Sequence, residues 1–248
     1  MRRHRSWALG VAWLVVGGFA APGAAAAQDV CVAANGKVVY QSGTATCEAS
    51  GRGSTAIAVG SGSTATATGG DRNTAIATGS GTTATATGGD RNTATATGQN
   101  STATVVQGDS NFATASGDAS RATAGFGDSN IATAGGTDST AQAAGGNNNT
   151  ATASGDSAVA VATDGNNNTA AATGENSTAT AVQGDNNVAI ALGDASRATA
   201  GVGDSNIAIA GGTDSTAQAA GGNHNTAIAI GPTCVALAGP GPGDTQIC

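Results

Sequence analysis

Aromatic side chains are nearly missing from this sequence, at 2% of its 248 residues. Trp7, Trp13 and Phe19 lie in the first twenty residues, which leaves Tyr40, Phe112 and Phe126 for the rest. A core of large rings is therefore excluded. Charge is also scarce, at 10% of residues, and His224 is the one histidine after His4. No Ser/His/Asp or Cys/His set can be assembled around it, so no enzyme is expected. The acids recur in turns without a pocket to shift their pKa. Gly51-x-Gly53 precedes a strand, with no helix N-terminus to cradle a phosphate.

Long hydrophobic runs are confined to Trp7–Phe19, which is too short for a spanning helix. With Arg2, Arg3 and Arg5 before it and Ala25-Ala26-Ala27 after it, this run reads as a secretory signal over 1–27. A secreted, extracellular and soluble protein is expected. Loss of three arginines takes the formal charge from −7 to about −10. That sign opposes phosphate backbones and anionic lipid, so neither nucleic acid nor membrane insertion is expected.

What remains is a repeat. Alternating five-residue runs such as Thr74-Ala75-Ile76-Ala77-Thr78 and Thr83-Ala84-Thr85-Ala86-Thr87 return every nineteen residues, separated by Gly-rich corners. The first strand of each unit starts at Thr55, Thr74, Thr93, Phe112, Ile131, Thr150, Thr169, Val188, Ile207 and Thr226. The second starts nine residues later, from Thr64 to Val235. Low-complexity disorder has no reason to keep such a count. Second and fourth strand positions are Ala throughout, except Val105. Side chains alternate faces along a strand, so these alanines form the interior.

The pattern predicts an all-β fold: a two-sheet parallel β-solenoid of about ten 19-residue coils, with a compressed Ala-filled core and disulfide-stapled caps. Its divisions are a signal peptide at 1–27, an N-terminal cap and first strand at 28–53, solenoid repeats at 54–231, and a last strand with C-terminal cap at 232–248.

The four cysteines sit in two pairs at the ends. Ten coils at roughly 4.8 Å separate the pairs by on the order of 45 Å, whereas a disulfide needs Cα atoms within about 7 Å. Cys31 is therefore paired with Cys47 and Cys234 with Cys248, as an exported chain allows. Pro232, Pro240 and Pro242 disfavour further strand addition at the C-terminal end.

Corner residues are equally regular. Asn precedes the first strand in every coil after Ser54, from Asn73 to Asn225, and Ser or Thr usually precedes the second. Inward ladders that satisfy corner backbone groups and bond their neighbours above and below are expected from both. Gly at 70, 89, 108 and onward supplies positive φ, and the following Asp or Asn is expected to bond its own turn. Stacked Asp71, Asp90, Asp109 and Asp128 raise the question of a bridging Ca²⁺. Arg72, Arg91 and the interspersed Asn residues relieve the charge, so no metal and no cofactor is assigned. The segment from Ser101 to Gly155 returns almost unchanged as Ser177 to Gly231, four coils on. Function is thus expected on surfaces.

The two surfaces differ. The second-strand face carries Thr64, Thr66, Thr68, Thr83, Thr85, Thr87, Thr102, Thr104, Thr123, Thr178, Thr180 and Thr199. On the first-strand face the last coils present Val188, Ile190, Leu192, Ile207, Ile209, Ile228 and Ile230, an apolar patch expected to mediate homodimer contacts.

Cys31 through Gly43-Thr44-Ala45-Thr46-Cys47, followed by Ser63-Thr64-Ala65-Thr66-Ala67-Thr68-Gly69, resembles the hyperactive antifreeze proteins of longhorn beetles. The likeness is strongest from Cys31 to Gly108. It implies a disulfide cap leading into a compressed solenoid whose flat Thr face binds ice, and so the twelve threonines above form the expected ice-binding face. Arg121, Gln142, Arg197 and Gln218 depart from an unbroken Thr array. Asn225-Thr226-Ala227-Ile228-Ala229-Ile230-Gly231 is similar to head repeats of trimeric autotransporter adhesins, and Gln183-Gly184-x-x-Asn187-x-Ala189 to curli-like subunits. A secreted or cell-surface structural or adhesin-type solenoid is the alternative expectation.

Overall fold

The structure, a computed structural model, describes residues 28–248; the expected signal over 1–27 lies outside the described residues. Two sheets, one of 13 strands and one of 11, face each other across a single alanine interior. From Lys37–Ser42 onward consecutive strands alternate between sheets, so each coil contributes one strand to each. Every pair from Thr55–Val59 onward in the first sheet, and from Thr46–Ala49 onward in the second, is parallel. About eleven turns of about 19 residues make up the solenoid.

Alternation explains the core. Ala75, Ala77, Ala84 and Ala86 have no exposed surface, and the same holds for their equivalents from Ala56 to Ala229. A methyl is the largest group that most levels hold, and Val105 is the one larger side chain among these positions, also fully buried. The flanking Thr, Ile and Val residues of the same strands are half-buried on the outer faces. In the 13-stranded sheet, strands from Thr93–Ala96 to Thr226–Ala229 have four residues rather than the expected five.

The Asn column welds one coil to the next. Asn92 N–H donates to Asn73 Oδ1 at 2.9 Å, while Asn73 Nδ2 donates to the Gly89 carbonyl at 2.8 Å. The same relay runs on through Asn111, Asn130, Asn149 and Asn168. Each buried amide thus satisfies two backbone groups of the following coil, and burial makes those bonds costly to lose. The serines act differently. Ser101 Oγ donates to the Gly98 carbonyl of its own corner at 2.9 Å, and Ser139 and Ser177 repeat the bond, so this column closes corners instead of joining coils.

Two expectations about the corners are corrected. Aspartates after the corner glycines do not bond their own turns: Asp71 N–H donates to Asp90 Oδ1, and Asp90 N–H to Asp109 Oδ1, both at 2.7 Å. One oxygen of each carboxylate thus accepts from the preceding coil's backbone, which ties the stacked acids from coil to coil. Gly89, Gly108 and Gly127 have the expected positive φ, but Gly70 does not, and positive φ is shared with Arg72, Ser110, Ala119 and Val202, so glycine is not retained for φ alone. Gly117, whose φ is not in the left-handed region, shows the other cause: a Cβ there would overlap the Gly136 carbonyl of the next coil. Coil stacking leaves no room for a side chain.

Both predicted disulfides are present, with Cα separations of 5.5 Å for Cys31–Cys47 and 6.1 Å for Cys234–Cys248. At the N-terminal end, Val30–Ala34 and Lys37–Ser42 form a hairpin that extends the 13-stranded sheet with antiparallel pairing. Val30, Val32 and Ile57 make a small second cluster beneath it. At the other end the prolines do not stop the sheet. After Pro240 and Pro242, Thr245–Ile247 pairs in register with Thr226–Ile228, because the detour between them returns the chain to the same level. Cys248 is then held to the corner at Cys234.

Candidate functional site

Each coil sets one three-residue row on each outer face, and parallel register stacks equal positions. On the 11-stranded sheet Thr64, Thr83 and Thr102 stand in line, as do Thr66, Thr85 and Thr104, with Thr68 beside Thr87. Thr123 extends the middle line. Along a row the side chains lie about 6.7 Å apart, and between rows about 4.8 Å. All are half-buried, with the strand-centre threonines flanked on both sides by their neighbours.

Of the twelve expected face residues, nine therefore form one block. Thr180 and Thr199 stand in register, with Thr178 on the strand of Thr180 and opposite Arg197, as a second, smaller group. Between the two lie Gln142 and Val161 on the middle line. Arg121 and Arg197 take the first position of their rows and are exposed, as are Gln142 and Gln218. The array is thus a patch and an island, not one continuous strip.

Charge gathers away from this block. Arg52 pairs with Asp71 at 3.1 Å across the corner and shares an open groove with Arg72, Asp90 and Arg91. The Asp71 carboxyl is held below the usual carboxylate range chiefly by the Arg52 backbone N–H, then by its guanidinium. Asp29 is likewise lowered, first by the Thr44 hydroxyl. An open depression lined by Val202, Gln218, Ala220, Leu237 and Pro240 contains no titratable group. Among the described residues, no group of three His, Cys, Asp or Glu side chains could hold a metal. No described helix is long and apolar enough to cross a membrane.

Sequence reasoning noticed only part of the 13-stranded sheet's outer face. From Thr55 to Ile230 its outward positions are Thr, Ser, Ala, Gly, Val, Ile, Leu and Phe alone. Neither charge nor amide occurs there. The signal lies in the first, third and fifth letters of each first strand, of which the aliphatic last coils are the most conspicuous part. No protein-family model, curated protein or solved structure matches the chain. The architecture itself, a parallel solenoid with Thr-rich strands and end disulfides, is of the kind that the beetle antifreeze resemblance implies.

Proposed function

We propose that this is a secreted, non-catalytic protein that binds ice through the Thr block of the 11-stranded sheet. The observation that carries the reading is the in-register array Thr64, Thr66, Thr68, Thr83, Thr85, Thr87, Thr102 and Thr104. Its methyls keep bulk water from the surface, while hydroxyls fixed at two repeat distances hold a layer of ordered water. Half-burial of each side chain restricts its rotamers, so little freedom is lost when that layer freezes on. Interlocked Asn and Asp columns keep the rows at constant spacing.

Thermal hysteresis of the exported chain tests this. Ice growth should be held back and crystals faceted, and Thr85→Tyr with Thr104→Tyr should remove both effects while circular dichroism stays unchanged. A structural or adhesive solenoid is the second reading. Arg121 and Arg197, with Gln142 and Gln218, favour it, because they place the same polar contacts on the face at a four-coil interval. Ordinary ice growth in the purified protein would favour that reading and remove the first.

A further inference from the structure

The two outer faces are chemically unlike. One bears Glu48, Arg121, Gln142, Arg197 and Gln218; the other, over the whole run from Thr55 to Ile230, bears no ionic or amide group. Chance exposure of single aliphatics is normal, but an entire uncharged face in a chain of net charge −7 is not. We propose that this face of the 13-stranded sheet is the contact surface for a second copy of the chain, packed face to face about a twofold axis.

Area decides between the aliphatic end and the whole face. The last coils alone offer roughly 15 Å by 15 Å, or about 200 Å², by strand and coil spacing. All ten rows offer roughly 45 Å by 15 Å, about 700 Å² before side-chain relief is counted. A standard stable interface takes about 800 Å² from each partner. The patch is too small, and the full face is the right size.

Relief argues for protein over a flat crystal. Phe112 and Ile131 stand out at 41% and 43% exposure in the first column, and Leu192 and Ile230 at 52% and 64% in the third. Such knobs spoil a plane but fill hollows in a partner, where a few desolvated, well-packed side chains carry most of the binding. The middle column runs Ile57, Ile76, Thr95, Thr114, Thr133, Thr152, Ala171, Ile190, Ile209, Ile228. Apolar ends enclose a hydroxyl centre. A twofold that keeps the coil order sets like on like, bringing Ile190, Ile209 and Ile228 against their own copies, while Ile57, buried with Val30 and Val32 beneath the hairpin, lies outside the contact. That orientation matches apolar with apolar, as an isologous contact requires. The acidic and basic corners would form the polar rim.

In that dimer the Thr block points outward on both sides. The proposal does not rest on ice binding, since mass is measured without ice. Sedimentation equilibrium of the exported chain should give twice the chain mass at micromolar concentration. Ile209→Glu should weaken association on the order of a hundredfold, because each carboxylate loses its water against an apolar row. Gln142→Glu on the opposite sheet should leave the dimer intact. Thr133→Lys, at the centre of the face, is the second variant should Ile209→Glu fail to fold. A monomeric wild type at millimolar concentration would overturn the proposal, and so would folded Ile209→Glu or Thr133→Lys chains that dimerise like the wild type.

Discussion

Replacing Asn130 with Ala should damage the solenoid far more than the same change at Asn187. The Asn130 side chain accepts from Asn149 N–H at 2.9 Å and donates to the Gly146 carbonyl at 2.7 Å, all within the buried corner. Truncation leaves both groups without partners, at about 1 to 3 kcal/mol each, so about 2 to 6 kcal/mol in total. Asn187 accepts from Asn206 N–H at 3.0 Å, but its own Nδ2 is buried with no partner. Its loss orphans one group and removes another already orphaned, for a net cost of about 1 kcal/mol. A stack of near-identical coils does not unfold in one step, so local opening is the better readout. Amide hydrogen exchange at Asn149 in the first variant, and at Asn206 in the second, gives it directly. At about 1.4 kcal/mol per tenfold, exchange at Asn149 should accelerate by on the order of a hundredfold or more, and at Asn206 by about tenfold or less. Equal and small accelerations at the two sites would refute the claim that the Asn relay holds coils together.

Gly117→Ala should prevent normal stacking, since its Cβ would enter the Gly136 carbonyl, whereas Gly62→Ala, with no atom within 4 Å, should cost only about 1 kcal/mol for its φ of +66°; thermal melts of both variants check this. Val202→Gly should stabilise by about 1 kcal/mol, because a β-branched residue sits there at a φ of 53° on an exposed corner, and an unchanged melting temperature would count against it. Acid should loosen the N-terminal coils first. Asp29 and Asp71 have folded pKa values below their unfolded ones, so their contribution is complete above the unfolded value near 3.8 and disappears as pH falls through the lowered values. Exchange rates in the first coils, compared between Asp71→Asn and the wild type from pH 5 to pH 2, read the effect, which the substitution should reduce.

Nearly all of the fold was legible because two constraints act at every level. Alanine at alternate positions leaves one possible inside, and a fixed interval leaves one possible register; Ala75 over Ala94 follows from counting. Disulfide pairing followed from the length of the stack. Corner chemistry was harder to read, since the letters at Asp71 and Asp90 do not tell whether a carboxylate reaches its own turn or the coil before. Only the stacked geometry settles it, with the same oxygen set against a neighbour's N–H. Gly70 was misleading for the same reason: its need arises from a residue nineteen positions away, not from its own dihedral angles. Thr245–Ile247 escaped notice because three prolines in that region act locally, while pairing with Thr226–Ile228 is decided by the level at which the chain returns. The Thr lines were visible as letters, but their division into a nine-residue block and an island depended on which rows Gln142 and Val161 share.

The most direct test is to grow a single ice hemisphere from a dilute solution of the fluorescently labelled protein. Uptake into the ice along defined planes, lost when Thr85 is replaced by Tyr, is the predicted result. Exclusion of the wild-type protein into the remaining liquid would contradict the account of the Thr face.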